Sequence, residues 1–139
     1  MDFGCFCNIT SRESGMSALP PITTHVLDTA RGAPATGVRI TLDRANSSLD
    51  ELVVSTDSWE RVGETRTNGD GRGPGLSATL ELRSGVYRAI FYTQEYFEQQ
   101  GTPTFYPYVE IVFRIIDPSQ HYHIPLLISP YGYSTYRGS

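Results

Sequence analysis

The residues of this chain best suited to chemistry are its three histidines, His25, His121 and His123. His121 and His123 are two positions apart, so in a β-strand both imidazoles would lie on one face. His25 belongs to an earlier run, in which Thr23 and Leu27 would share its face of a strand. A neutral imidazole, with a pKa of about 6.5, can accept a proton from water near neutral pH. The histidines are therefore candidates for general acid–base catalysis, and ordinary half-exposed strand histidines remain the alternative.

Arg72 is the candidate for recognising a carboxylate or a planar, urea-like group. It lies in the turn Asn-Gly-Asp-Gly-Arg-Gly at residues 68–73, where glycines let a ligand approach the backbone closely. A guanidinium can donate two parallel hydrogen bonds to such a group. A turn arginine that is merely solvated would look the same in the sequence, so both interpretations stay open.

Other kinds of chemistry find little support in the sequence. The His-x-His spacing occurs in zinc sites, but two ligands and a distant third do not make one. The glycines around Arg72 are not followed by Gly-Lys-Ser/Thr, which excludes a phosphate-binding loop of that type. There is no Gly-x-Ser-x-Gly motif, and neither Cys5 nor Cys7 has a neighbouring base, so we expect no covalent nucleophile. We predict that the chain uses neither a metal nor an organic cofactor.

The composition is that of one globular domain. Hydrophobic residues make up 39% and charged residues 19% of the 139 residues, which allows a buried core. The net charge is −4 and no basic run occurs, so we expect no nucleic-acid partner. Apolar stretches such as residues 109–116 are far shorter than the roughly 20 residues that cross a bilayer, so we expect no membrane either. Cys5 and Cys7 are too close to pair with each other, which favours a reduced, intracellular setting.

Two stretches of the chain lack any regular pattern. Residues 1–20 mix small and polar residues and are closed off by the pair Pro20-Pro21. We expect residues 1–20 to be a mobile leader and residues 21–139 to form the domain. Residues 46–58 are interpreted as a loop, although Leu52-Val53-Val54 within it would also suit a strand.

The elements that would position the histidines and Arg72 are β-strands. Apolar and polar residues alternate strictly in residues 38–43, as expected for a half-buried strand. Similar runs separated by turn residues predict strands at residues 59–67, 86–93, 108–116 and 122–129. Pro125 within the last run points to an edge strand or a bulge. Only residues 94–100, ended by Gly101, are typical of a helix, so the pattern predicts an all-β sandwich or barrel.

The end of the sequence is rich in aromatic and hydroxyl groups. Residues 131–139 read Tyr-Gly-Tyr-Ser-Thr-Tyr-Arg-Gly-Ser. We interpret this segment as a last edge strand, whose unpaired backbone groups would be covered by another subunit.

Three segments resemble a known family. The run Ile-Thr-Thr-His-Val-Leu-Asp at residues 22–28, with Gly32 and Pro34-Ala35 after it, resembles the opening strand of transthyretin-related proteins. His-Tyr-His-Ile-Pro-Leu-Leu at residues 121–127 and the final Tyr-Arg-Gly-Ser resemble the signature of the enzymatic branch, the 5-hydroxyisourate hydrolases. The resemblance spans residues 22–139.

This resemblance implies an all-β, transthyretin-like sandwich of two four-stranded sheets with one short helix. It also implies a homotetramer, a dimer of dimers, with clefts at the dimer–dimer interface that hydrolyse a small-molecule substrate, 5-hydroxyisourate. The family's catalytic residues correspond to His25, Arg72 and His123, with Tyr136 and Ser139 contacting the substrate.

Two other functions stay open from the sequence. A carrier of transthyretin type would hold a hydrophobic ligand and would not need His25, Arg72, His123 or the Tyr-Arg-Gly-Ser end. An adhesion-type sandwich would need no channel and would tolerate alanine at these positions. We expect the protein in the cytoplasm, with the peroxisome as the alternative, since the sequence ends in Arg-Gly-Ser and not in a Ser-Lys-Leu signal.

Overall fold

The computed structural model describes residues 20–46 and 58–139. The predicted leader, apart from Pro20, and the Leu52-Val53-Val54 run lie outside the described residues. The described chain contains eight strands and one helix, which in chain order are β1 (Ile22–Asp28), β2 (Ala33–Pro34), β3 (Arg39–Ala45), β4 (Trp59–Arg66), β5 (Gly85–Phe91), α1 (Thr93–Glu98), β6 (Val109–Ile115), β7 (Tyr122–Ser129) and β8 (Gly132–Thr135).

The strands form two four-stranded sheets, one in the order β2-β1-β7-β8 and the other in the order β4-β3-β5-β6. All neighbouring strands are antiparallel except β1 and β7, which run parallel. This arrangement confirms the predicted transthyretin-like sandwich of two four-stranded sheets with one short helix. The parallel pair brings the histidine-bearing segments of both ends of the domain side by side.

Strand β1 shows how the sequence alternation sets the two faces of the first sheet. Ile22, Thr24 and Val26 are buried, while Thr23 and His25 on the opposite face are half-exposed. Because side-chain direction alternates along a strand, every second side chain of β1 is aimed at the core, the polar Thr24 included, and the outer face is left for chemistry.

The core lies between the sheets. Its largest fully buried side chains come from both layers, and burying each one contributes roughly 1.5–3 kcal/mol. They include Ile22, Val26, Leu126 and Ile128 from one sheet and Ile40, Leu42, Tyr87 and Phe91 from the other. This packing makes the first sheet a rigid platform for the residues on its outer face.

Helix α1 fixes the far end of β1. The hydroxyl of Tyr96 on α1 donates to Oδ2 of the buried Asp28 at 2.8 Å. Oδ1 of the same carboxylate accepts the backbone N–H groups of Ala30 and Arg31. The helix predicted at residues 94–100 spans Thr93–Glu98, and the turn that follows it ends at Gly101, which has a φ of 69°. Among the described residues, no helix is long and apolar enough to cross a membrane.

The sequence predicted that Pro125 lies on an edge strand or at a bulge, and of these two alternatives the edge position was wrong. Strand β7 has the predicted bounds, but it lies inside its sheet, between β1 and β8. Pairing with β8 is interrupted opposite Pro125, between the Leu126–Thr135 pair and the His123–Gly138 bridge. The hydroxyl of Thr135 donates to the Pro125 carbonyl there, at 2.6 Å. A central strand can thus hold a proline where its missing N–H falls at a break in the ladder.

Candidate active site

A cleft of about 600 Å³ opens where the outer face of the β1–β7 pair meets the loop that follows β4. Its lining combines imidazole, guanidinium and hydroxyl groups over an apolar floor. The polar side chains that line it include Thr23, Arg72, His121, His123 and Ser139. These five residues come from four segments that are apart in sequence, so only the folded chain creates this cleft.

His123 is placed by the parallel pairing of β1 and β7, which sets it directly opposite Thr23. Its Nδ1 lies 2.8 Å from the Thr23 hydroxyl oxygen. Partial burial lowers the pKa of His123, and electrostatic repulsion from Arg72, above all, and from His121 and His25 lowers it further. His123 is therefore neutral at physiological pH, which is the state a general base requires.

His121 lies two residues before His123, with its imidazole on the same face. The two rings are stacked, with their centroids 6.4 Å apart and an interplanar angle of 15°. Nε2 of His121 lies 3.1 Å from the same Thr23 hydroxyl oxygen. The prediction that both imidazoles share a face is confirmed, and Thr23 joins them.

His25 lies beside this cleft and not in its lining, on the same face of β1 as Thr23. Its Nε2 donates to the backbone carbonyl of Asp70 at 2.8 Å. A carbonyl can only accept, so this contact places a proton on Nε2 and, in the neutral ring, leaves Nδ1 as an acceptor. The structure thus brings His25 to the loop that carries Arg72.

Arg72 is held by a tightly bonded turn. Oδ1 of Asn68 accepts the backbone N–H groups of Asp70 and Arg72 at 3.0 and 3.1 Å. The Gly71 carbonyl accepts the N–H of Val26 at 2.7 Å, which ties the turn to β1. Gly71 has a φ of 79°, and an added Cβ would collide with the Val26 carbonyl oxygen. The exposed Arg72 side chain therefore projects from a fixed backbone.

The C-terminal segment returns to the cleft after β8. The N–H of Gly138 donates to the His123 carbonyl at 2.9 Å, and the two residues form an isolated antiparallel bridge. Ser139 follows and lines the cleft. The sequence-predicted Ser139 is thus brought to His123 by backbone pairing.

Tyr136 is not brought to this cleft within the single chain. Its ring is 61% exposed, and it lines a separate cavity of about 250 Å³ together with Ile111, Phe113 and Tyr122. Its contact with the substrate stays a prediction.

Sequence reasoning gave no role to Thr23 or Asn68, and it named His121 only as one of three histidines that could act in acid–base catalysis. The available signals were the strand alternation that puts Thr23 on the face of His25 and the Asn-Gly turn signature. Neither signal reveals a contact with His123, because the register between β1 and β7 is set by tertiary packing. Among residues 20–46 and 58–139, no group of three or more His, Cys, Asp or Glu side chains is arranged to hold a metal ion.

The two-sheet sandwich with a histidine–arginine cleft on one outer face defines a protein of the transthyretin-like class. The chain belongs to the HIUase/Transthyretin family, whose model matches residues 22–138. It is 44% identical over 119 residues to the 5-hydroxyisourate hydrolase of Mus musculus, covering 86% of this chain and 95% of that relative.

Solved structures show the same fold in both branches of the family. The Klebsiella pneumoniae 5-hydroxyisourate hydrolase matches with a TM-score of 0.69 and 34% identity, covering 85% of this chain and 92% of that one. Sea bream transthyretin, solved in complex with thyroxine, matches with a TM-score of 0.73 and 28% identity over 85% of this chain and 94% of that one. Likeness in fold alone therefore does not separate enzyme from carrier.

Proposed function

We propose that this chain hydrolyses 5-hydroxyisourate to 2-oxo-4-hydroxy-4-carboxy-5-ureidoimidazoline, a ring opening in the breakdown of urate. Its relatives from Mus musculus and Klebsiella pneumoniae are 5-hydroxyisourate hydrolases, which supports this activity. The observation that carries the proposal is that His123, with a lowered pKa, and Arg72 line one polar cleft. A base that is neutral at physiological pH beside a fixed cation suits hydrolysis by water.

In this mechanism His123 is the general base. Its Nε2 takes a proton from water while the water oxygen bonds to the attacked carbonyl carbon, a contribution of about 10²–10⁴ in rate. Arg72 donates hydrogen bonds to the resulting oxyanion and to the polar edge of the planar ring. When the tetrahedral intermediate collapses, the ring C–N bond breaks and the leaving nitrogen takes the proton from the His123 imidazolium.

His25 and Ser139 have supporting roles in this proposal. Because Nε2–H of His25 is engaged by the Asp70 carbonyl, a neutral His25 offers Nδ1 as an acceptor that orients the water. Ser139 lines the cleft and offers its hydroxyl to the substrate. Tyr136 would reach the substrate through assembly of several subunits, which links its role to the oligomer.

We propose a homotetramer, a dimer of dimers. Strands β6 and β8 are edges of the two described sheets, and their unpaired backbone groups favour pairing with a second copy. Val112 on β6 is 54% exposed and Tyr133 on β8 is 44% exposed, so both would gain from burial. Sedimentation velocity is expected to give a mass of four chains, and a fully active monomer would refute this assembly.

A carrier of a small hydrophobic ligand is the second candidate. The TM-score to sea bream transthyretin, 0.73, is higher than the value of 0.69 for the bacterial hydrolase. The lining of the cleft argues against the carrier. It contains two imidazoles and a guanidinium, and an apolar ligand would remove water from these groups without offering them hydrogen bonds. Hydrolysis accounts for these groups, and simple carriage does not.

The deciding experiment follows the ultraviolet absorbance of 5-hydroxyisourate generated in place by urate oxidase. The wild-type protein is expected to accelerate the decay, and His123→Ala is expected to abolish the acceleration. Gln94→Ala, on the exposed face of α1, is the matched control and should accelerate the decay as much as the wild type does. Decay by the wild type no faster than the spontaneous reaction would reject the hydrolase and favour the carrier.

We place the protein in the cytoplasm, with the peroxisome as the alternative. The support comes from the sequence, where Cys5 and Cys7 are too close to pair, which favours a reduced, intracellular setting. Imaging of a fluorescent fusion to the N-terminus, beside a peroxisomal marker, distinguishes the two compartments.

A further inference from the structure

We propose that Thr23 and His121 are positioning residues that hold His123 in one tautomer, through a directed chain of hydrogen bonds starting at the Pro20 carbonyl. The inference rests on the proposed function in one respect, the role of His123 as general base. The hydrogen-bond chain itself follows from geometry and donor–acceptor chemistry, and it can be tested without substrate.

The chain of hydrogen bonds begins where β1 and β7 start to pair. The N–H of Tyr122 donates to the Pro21 carbonyl at 2.9 Å, which brings Pro20 beside His121. Nδ1 of His121 then lies 2.7 Å from the Pro20 carbonyl oxygen. A carbonyl oxygen has no proton to give, so the proton of this bond belongs to Nδ1 of His121.

The next link is the Thr23 hydroxyl. A neutral His121 with its proton on Nδ1 has a lone pair on Nε2, and this atom lies 3.1 Å from Oγ1 of Thr23. The single hydroxyl proton of Thr23 must therefore point to His121 to make that bond. Towards any other partner, Oγ1 of Thr23 can then only accept a hydrogen bond.

The last link determines the tautomer of His123. Nδ1 of His123 lies 2.8 Å from Oγ1 of Thr23. Because the hydroxyl proton is already directed to His121, this bond requires the proton of His123 to be on Nδ1. The Nε2 atom of neutral His123 is then unprotonated, and it is the atom that takes the proton from water in the mechanism above.

The protonation state of His121 controls this direction. When His121 carries a second proton, its Nε2 becomes a donor and no longer accepts from Thr23. The Thr23 hydroxyl is then free to donate to Nδ1 of His123, which would move the proton of His123 to Nε2 and remove the base. The groups that face His123 are His121, which directly precedes β7, His25 on β1 and Arg72 on the turn after β4, and all three lower its pKa.

The kinetic test compares two substitutions of residue 23. Thr23→Val replaces the hydroxyl by a methyl group, and Thr23→Ser keeps the hydroxyl. We expect Thr23→Val to lower kcat by more than about 10-fold with KM little changed, the upper bound being the roughly 10⁴-fold loss when a catalytic histidine holds the wrong tautomer. Thr23→Ser is expected to restore most of kcat. Equal kcat in wild type and folded Thr23→Val would overturn the inference.

The spectroscopic test uses protein with ¹⁵N-labelled histidine and no substrate. In the wild type at neutral pH, we expect His121 and His123 both to carry their proton on Nδ1, and in Thr23→Val we expect His123 to lose this preference. A wild-type His123 with its proton on Nε2 would overturn the inference even if the protein hydrolyses 5-hydroxyisourate. An inactive wild type with the expected tautomers would reject the proposed function and leave the hydrogen-bond chain standing. If Thr23→Val does not fold, the wild-type spectrum decides alone.

Discussion

Gly138 lies directly against the imidazole of His123. Besides the backbone hydrogen bond between the two residues, a Cβ at position 138 would lie 2.5 Å from Cδ2 of His123 and 3.2 Å from its Cγ. A side chain at this position is excluded by the ring, and the ring in turn is held in place by the returning backbone. The glycine of the C-terminal Tyr-Arg-Gly-Ser thus leaves room for the imidazole of His123 on β7.

The first prediction concerns this contact. Gly138→Ala must displace either the His123 ring or the C-terminal segment, so kcat/KM for 5-hydroxyisourate should fall by at least about 10-fold, since misplacement near 1 Å can cost about 10². Gly69→Ala is the matched control, because an added Cβ there meets nothing within 4 Å. Unchanged kinetics in Gly138→Ala would mean that the His123 position is not set by the C-terminal segment.

The second prediction concerns pH. His123 works as a base only when neutral, and burial together with neighbouring positive charge lowers its pKa below the usual 6.5. Activity is therefore fully present above pH 6.5 and is lost as the pH falls through the lowered pKa of the folded enzyme. A profile of kcat/KM against pH should show an acid limb with its midpoint below 6.5. A midpoint at or above 6.5 would contradict this assignment.

The third prediction separates the two effects of Arg72. Arg72→Gln removes a positive charge that lowers the pKa of His123, so the acid limb should move to higher pH. It also removes a donor to the oxyanion, so kcat should fall by about 10²–10³ above the limb. Arg66→Gln is the matched control: Arg66 is exposed, pairs with Glu95 at 2.8 Å and should leave both quantities unchanged. If kcat falls and the acid limb does not shift, Arg72 does not lower the pKa of His123.

The fourth prediction concerns stability. Tyr96→Phe removes the hydroxyl that donates to Asp28, and both residues are at most 4% exposed. Losing a hydrogen bond to a buried carboxylate should lower the free energy of unfolding by about 1.5–3 kcal/mol. Urea unfolding at fixed protein concentration measures this change. Tyr92→Phe, whose hydroxyl is 3.4 Å from that of Thr41, should cost less than half as much. Equal costs would show that the carboxylate does not depend on Tyr96.

Local patterns in the sequence were sufficient for most of the fold. Local patterns predicted β7 with its observed bounds and predicted that Thr23, His25 and Leu27 share one face of β1, because side-chain direction alternates along a strand whatever its partners are. The helix after β5 followed from its residues and from Gly101, whose positive φ an L side chain rarely adopts. The two-sheet arrangement followed from the family resemblance of residues 22–28 and 121–127.

The position of Pro125 shows where a local rule stops. The missing N–H of proline predicts an edge strand or a bulge, yet β7 lies inside its sheet, where pairing with β8 is interrupted opposite this residue. Whether a neighbouring strand needs a particular N–H depends on the partner's course, which no local pattern contains.

The residues of the candidate site divide in the same way. The sequence by itself determined that His25, Arg72 and His123 have the types needed for hydrolysis and that His121 shares a face with His123. The tertiary structure alone decided that Thr23 lies opposite His123, that the turn carrying Arg72 is tied to β1 and that Tyr136 lines a different cavity. The physical reason is that side-chain direction along a strand is a local property with a period of two, whereas register between strands distant in sequence is fixed by packing of the whole core.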